Sequence, residues 1–498
     1  MRAMMNVLNP NRAMATRPSP WPSNSKRPSS LRSPLLSLTF LFCLFLFFLS
    51  YYFLTPKSLL SKSSSPCNSF HGQKFLWYAP HSGFSNQLSE FKNALLISAI
   101  LNRTLLIPPI LDHHAVALGS CPKFRVLEPN QIRFTVWDHV VDLIRTKRYV
   151  SMADIIDISS LVSSSLVRVI DFRIFASLWC NLDIDSTCFH ELDWQYSLFD
   201  SLKQCGSFLS GLDGSVAKCL YAVDEDCRTT VWTYQNGNED GALDSFQPDD
   251  QLKRKKKISY VRRRRDVYKH LGPGSEADSA TVLAFGSLFT APYKGSESYI
   301  DIHESPRDQR VQNLIDKIEF LPFVPEIVSA GKKFARETIQ APFLCAQLRL
   351  LDGQFKNHWK TTFMGLKQKI ESLGESLHPI HIFVMTDLPE ANWTGSYLGD
   401  LAEDSRRFKL FFLKESDQLV VQTSKRLVEG NHGMSYGFLP EIRDVDSKVT
   451  KHCGPSNLPD VLLYVEETIC SCASLGFVGT SGSTIAESIE LMRKFGVC

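Results

Sequence analysis

Phe75-Leu-Trp-Tyr-Ala-Pro80, His81-Ser-Gly-Phe-Ser-Asn86 and Thr104-Leu-Leu-Ile-Pro108 are the three stretches that decide the fold. The first is a short apolar run rich in aromatic residues, as a buried strand is. The second is a turn around Gly83, where glycine permits positive φ and close backbone approach. From Asn86 onward Leu88, Phe91, Leu95, Leu96, Ala99 and Ile100 recur at helical spacing, and Asn102 closes the helix. The third stretch is a second strand, stopped by Pro108 and Pro109. A strand, turn, helix and strand in this order demand a parallel pair with a right-handed crossover.

The far end of the chain repeats the pattern. Phe343–Arg349, His381–Thr386, Phe408–Leu413 and Leu475–Gly479 read as strands, and Phe355–Leu373, Val461–Cys472 and Ile485–Arg493 as helices. Alternation at both ends gives an α/β class with two doubly wound lobes. The chain has 498 residues, beyond the roughly 250–300 at which one core stops growing. The expected lobes are residues 73–325 and 326–498, with an irregular insertion at about 236–270. That insertion carries Lys253–Lys257 and Arg262–Arg265, read as a solvated loop balanced by Glu239, Asp240, Asp244, Asp249 and Asp250. The formal net charge of +3 is too small to argue for nucleic acid.

Residues 1–34 hold Arg2, Arg12, Arg17, Lys26, Arg27 and Arg32 and no acid, with dense Pro and Ser, so a disordered tail is expected. Leu35–Leu54 is uncharged and dominated by Leu and Phe. Twenty helical residues span about 30 Å, the thickness of the hydrocarbon layer. The run is too long for a cleaved signal peptide, and Tyr51 and Tyr52 stand where an aromatic belt would lie. A retained anchor is expected, with the basic tail cytosolic, residues 55–72 as a stem and the rest luminal. Of thirteen cysteines only Cys43 falls in that span. No pair has zinc-ribbon spacing, so disulfides are expected in an oxidising lumen, with pairing left open. Asn102-Arg-Thr104 and Asn392-Trp-Thr394 are glycosylation sequons.

Three places could carry chemistry. The turn ending in Asn86 lies after a strand and opens a helix, where ligands bind in open α/β sheets. Asn86 could hydrogen-bond a ligand or simply cap the helix. Arg349 closes a buried strand, and its planar fork suits a diphosphate; an ion pair with Asp352 or Asp387 is the structural alternative. Gly479-Thr-Ser-Gly-Ser-Thr484 joins a strand to a helix, so its amides and hydroxyls could hold phosphate. Its structural alternative is capping by Ser483 or Thr484. Asp183/Asp185, Asp224/Asp226 and Asp444/Asp446 have a spacing that metal-dependent glycosyltransferases use, and His113-His114 lacks further ligands at useful spacing, so no metal site is assigned.

Together these places resemble the GDP-fucose protein O-fucosyltransferase family, especially its plant type II membrane branch. Gly83-Phe-Ser-Asn-Gln87 with Leu101-Asn-Arg-Thr-Leu105 and Pro108-Pro109 is similar to the family's first motif. Cys345-Ala-Gln-Leu-Arg349 resembles its His-x-Arg strand end. Phe383-Val-Met-Thr-Asp387 and Phe477-Val-Gly-Thr-Ser481-Gly-Ser-Thr484 resemble its Thr-Asp strand end and its last nucleotide-contacting turn. The resemblance implies a GT-B-like fold of two Rossmann-like lobes and GDP-fucose as donor substrate, with no cofactor and no metal. It implies inverting transfer to a protein or polysaccharide hydroxyl in the Golgi membrane. It assigns Arg349 and Asn86 to catalysis, and Gly83, Gln347, Asp387, Thr480, Ser481, Ser483 and Thr484 to the donor. The family's histidine is Gln347 here, which can donate a hydrogen bond but cannot titrate. Glu90, one turn beyond Asn86, reads as a surface helix residue rather than a base. Two alternatives stay open: an inactive nucleotide-sugar- or glycan-binding scaffold of the same fold, and a metal-dependent glycosyltransferase with another donor.

The charge asymmetry around Leu35–Leu54 predicts that protease added to sealed microsomes removes only the N-terminal tail. Digestion of the C-terminal part without detergent would exclude this orientation.

Overall fold

The computed structural model describes residues 72–80, 83–111, 129–182, 184, 198–206, 219–223, 230–232, 260–262, 267–268, 271–286, 288, 309–351, 359–374, 379–437, 458 and 460–498. The expected tail, anchor and stem lie outside these residues. No helix among the described residues is long and apolar enough to cross a membrane. Most of the basic insertion, the three acid pairs and His113-His114 also lie outside them.

Two parallel sheets organise the chain. The first has the order β3-β2-β1-β7-β4, built from β1 Phe75–Tyr78, β2 Thr104–Ile107, β3 Arg168–Asp171, β4 Leu220–Val223 and β7 Val282–Phe285. A small parallel pair, β5 Thr230–Trp232 and β6 Tyr260–Arg262, stands apart in the ladder. The second sheet has the order β10-β9-β8-β11, from β8 Phe343–Leu348, β9 Ile380–Thr386, β10 Phe408–Phe411 and β11 Gly476–Gly479. Strands with both faces covered read as continuous apolar runs, and β1, β2, β7 and β8 are buried at every position. The helices that position the site are α1 Phe84–Ile100, α2 Pro325–Phe334, α3 Trp359–Leu373, α4 Gln418–Gly430, α5 Val461–Ser471 and α6 Thr484–Lys494.

The expected β-turn-α-β unit is present, with β1 and β2 parallel and Phe75 opposite Thr104. Its helix begins at Phe84, two residues earlier than the apolar spacing implies, so Asn86 falls inside the first turn. Gly83 is the N-cap, and the capping alternative for Asn86 is removed. Gly83 has an ordinary φ of −68°, so positive φ is not its reason. An added Cβ there would meet no atom within 4 Å. Glu90 is wholly buried, against the expectation of a surface residue. Burial first, and the nearby Glu90 second, push the Tyr78 hydroxyl well above its ordinary range.

The two sheets are stitched together by backbone. Val324 donates to the Ile155 carbonyl at 2.9 Å and Asp157 to that of Pro322 at 2.8 Å. The Gly433 amide, just beyond α4, donates to Asp154 Oδ1 at 2.7 Å. A Cβ on Gly433 would come within 2.6 Å of Asp171 Oδ2, so the two segments meet only because that residue is glycine. Asp171 in turn holds the Arg173 guanidinium at 2.9 Å, and that guanidinium stacks 4.6 Å above the Tyr149 ring.

Every described cysteine is disulfide-bonded, in line with the disulfides expected from the sequence. Cys180 pairs with Cys205, Cys345 with Cys470 and Cys472 with Cys498, at Cα separations of 5.8, 5.2 and 5.0 Å, all within the usual range. Cys470 and Cys472, separated only by Ser471, thus serve two different bridges. The Cys345–Cys470 bridge ties the middle of β8 to α5 and closes a separation of 125 residues. In the chain-entropy account a loop of that length is worth ~5 kcal/mol.

Helix α5 also buries two adjacent acids, Glu466 and Glu467. Burial pushes Glu467 up to about 8, although the Ser488 hydroxyl donating to Oε2 at 2.7 Å opposes the shift. Glu466 is raised too, first by burial and then by Glu467. In the unfolded chain Glu467 returns to its ordinary 4.5. Its stabilising effect is therefore complete below about pH 4.5 and is lost as pH rises through about 8. Denaturant midpoints should fall between pH 5 and pH 8.5, and Glu467→Gln should reduce that fall while changing little at pH 5. An undiminished fall in the variant would contradict the assignment.

Candidate functional site

In the second sheet the chain leaves β8 toward β9 on one side, whereas β11 joins from the other. The carboxyl ends of β8 and β11 therefore form a topological switch point, where the departing connections diverge and leave a crevice. Gly479 is opposite Gln347 in this ladder. A Cβ on Gly479 would approach Ala486 Cβ to 2.6 Å, so glycine is what lets β11 run close against α6. The chain then turns: Ser483 donates to the Thr480 carbonyl at 3.1 Å, with Gly482 at a left-handed φ of 72°. Ser483 is the N-cap of α6 by position, but its hydroxyl makes no capping bond, which removes the capping alternative for that side chain.

Gln347 locks this turn. The Thr480 amide donates both to the Gln347 carbonyl at 3.0 Å and to its side-chain Oε1 at 3.1 Å. Gln347 Nε2 donates to Ser483 Oγ at 3.5 Å. Gln347, Thr480 and Ser483 are all buried. Ser481 and Gly482 are exposed and Thr484 is partly buried, so the outer rim of the turn faces solvent. The positive end of an eleven-residue helix lies directly behind it.

Arg349 is the first residue after β8 and is partly exposed. Its amide donates to Thr480 Oγ1 at 2.9 Å. The next two amides turn the other way, Leu350 to Asp387 Oδ1 at 2.7 Å and Leu351 to Asp387 Oδ2 at 3.0 Å. Asp387 follows β9, whose Thr386 is opposite Leu348. The Trp359 indole donates to the Leu350 carbonyl. Asp387, offered by the sequence as an ion-pair partner of Arg349, thus has its oxygens on backbone amides; Asp352 lies outside the described residues.

At the first sheet the switch point lies between β1 and β7, and the turn carrying Gly83 and Asn86 follows β1. Asn86 is partly exposed. Its neighbour Gln87 is wholly buried and exchanges bonds with Leu111: Nε2 to the carbonyl at 3.2 Å, and the amide back to Oε1 at 2.9 Å. Arg103 is buried and donates to the carbonyls of Phe75, Ala277 and Ala280 at 3.3, 2.7 and 2.9 Å. Gln87 and Arg103 therefore build the sheet. The Phe84 ring lies 4.8 Å from that of Tyr464 of α5, tilted by 53°, and α1 packs on α6, the helix that the 480–483 turn opens.

The structure thus gathers Gln347, Arg349, Asp387, Thr480 and Ser483 into one hydrogen-bonded group, with Ser481 and Thr484 on its rim. It places Gly83 and Asn86 on the adjoining helix start. The sequence reading missed that Thr480 Oγ1 and the Asp387 carboxylate grip the Arg349 backbone; a Thr-Asp pair ending a strand was the available signal. Asn102 and Asn392 are both exposed, Asn102 at a left-handed φ of 52° just past α1.

No family model matches the chain. It is 60% identical over 511 aligned positions to O-fucosyltransferase 30 of Arabidopsis thaliana, covering 99% of each chain. Among solved structures it is similar to POFUT1 in complex with GDP-fucose, at 13% identity and a TM-score of 0.38, over 85% of this chain and 95% of that one. It is likewise similar to POFUT1 in complex with GDP, at 13% identity and a TM-score of 0.36, over 85% and 96%. Identity of 60% sustained along the whole chain means that the protein belongs to the GDP-fucose O-fucosyltransferase family.

Proposed function

We propose that the chain transfers fucose from GDP-fucose to a hydroxyl of a protein or polysaccharide, with inversion and without a metal. The observation that carries this reading is the junction of β8 and β11. There an arginine is fixed by its backbone beside a hydroxyl-bearing turn at a helix N-terminus. Such a junction suits a diphosphate: amides, hydroxyls and a guanidinium offer donors and positive charge together. The near relative's name supports the sugar.

In this reading the acceptor oxygen bonds to the anomeric carbon from the face opposite the diphosphate. The carbon–oxygen bond to the β-phosphate breaks, its electron pair stays on GDP, and the proton of the acceptor hydroxyl is released to water. Negative charge therefore grows on the diphosphate along the reaction. A cation held in advance favours that charge over the ground state and needs no reorganisation as the bond breaks. Asn86 faces the sugar and phosphate, while Gly83, Ser481 and Thr484 line the donor and the buried Ser483 supports the turn behind them. Gln347 cannot move a proton, so it serves by hydrogen bonding alone.

The same reading gives the two sheets the role of GT-B-like lobes, the C-terminal one holding the donor. It makes Leu35–Leu54 the signal anchor of a type II protein of the Golgi membrane, its catalytic part luminal. The disulfides fit that compartment, and the exposed sequon asparagines are accessible to glycosylation there.

Arg349→Ala should lower turnover of GDP-fucose by at least ~10-fold while the chain stays folded, since a lost charge-assisted contact costs about 1.5–3 kcal/mol. Arg349→Lys should rescue poorly, because an ammonium lacks the two-pronged fork. A folded variant with unchanged turnover and GDP affinity would place the phosphate site elsewhere.

A further inference from the structure

We propose that Asp387 is a positioning residue that acts on the reaction through Arg349, a role that rests on the donor site proposed above. The chain leaving β8 presents three consecutive amides to side-chain acceptors: those of Arg349, Leu350 and Leu351. Each is held by the tail of a neighbouring strand. Thr480, after β11, takes the first at 2.9 Å, and Asp387, after β9, takes the second and third at 2.7 and 3.0 Å. Arg349 is therefore anchored from both flanks, and Leu350 beneath it is wholly buried.

The chemistry of the side chain explains why an acid stands there. Two adjacent amides point at one side chain, and only a carboxylate presents two acceptor oxygens at once. Bonds to an ionised acceptor are also the stronger kind. An asparagine has one acceptor oxygen, and its amide group would oppose the second N–H. Asparagine, the nearest substitution in shape, is therefore a severe one here. The two amides also spread the negative charge of Asp387 into the backbone, which tempers its repulsion of an anionic donor nearby. A guanidinium on a tethered backbone has only its side-chain torsions left to fix before it meets the developing charge, so the tether acts on the transition state more than on ground-state binding.

The test is a double-mutant cycle on the full-length chain with Arg349→Ala, Asp387→Asn and the pair, reading kcat for GDP-fucose, Kd for GDP and amide exchange at Leu350 and Leu351. We expect Asp387→Asn to lower kcat at least ~10-fold with Kd for GDP changed less than ~3-fold. In the Arg349→Ala background it should add almost nothing, because residues that act as a unit are not additive. Exchange at both leucine amides should quicken. Thr480→Val, which removes the acceptor from the Arg349 amide, should show the same non-additivity. Independent, multiplying effects, or a loss carried wholly by Kd, would mean that Asp387 meets the donor itself and would overturn the proposal. So would unchanged exchange, or loss of the folded state in both Asp387→Asn and Thr480→Val. A wild-type chain that neither binds GDP nor turns over GDP-fucose would instead defeat the donor reading, and with it the role of Asp387 in the reaction, even if exchange confirmed the tether.

Discussion

Parallel strands that diverge at their carboxyl ends leave backbone amides without ladder partners, and buried amides must find acceptors elsewhere. Between β8 and β11 this chain meets that demand with side chains from the adjoining strand ends. Thr480 Oγ1 takes the Arg349 amide and Asp387 takes the two after it, while Gln347 Oε1 adds a second bond to a Thr480 amide that already donates to the Gln347 carbonyl. The bonds are reciprocal, so each strand end fixes the other. The rim of the turn at Ser481 and Gly482 is exposed to solvent, and Arg349 is partly exposed. The Cys345–Cys470 bridge fastens the same strand from behind, to the helix that leads into β11.

A similar economy governs the first sheet. Of the residues that give the opening motif its character, Gln87 closes the loop after β2 and Arg103 ties together the amino ends of β1 and the segment before β7. Their burial accounts for them without any ligand. Asn86, in the same motif, keeps contact with solvent. A motif whose members look equally functional in sequence thus divides into scaffold and surface once its hydrogen bonds are known.

The second sheet was legible because its strands are apolar runs of ordinary length bounded by turn residues, and because the helices between them keep clear spacing. The first sheet was legible only at β1 and β2. Its β3 opens on the exposed Arg168 and its β4 is only partly buried over three of its four positions, so neither reads as a continuous apolar run. Nothing local announces that β7 lies next to β1, since that pairing joins segments about two hundred residues apart. Glu90 was misread for a related reason. The spacing of Leu88, Phe91 and Leu95 implies a wet opposite face, yet α1 buries Gln87, Glu90, Asn93 and Ser98 as well. The residues gathered at the β8–β11 junction stand out in the sequence by their position at strand ends. Their mutual bonds do not, because strand order decides them.

The measurement that bears most directly on the whole account offers purified full-length chain a panel of nucleotide sugars, with and without a chelator, and follows release of the nucleoside diphosphate. The expected result is GDP released from GDP-fucose in preference to every other donor, at a rate the chelator leaves unchanged. Release from a different sugar donor, or activity abolished by the chelator, would contradict it.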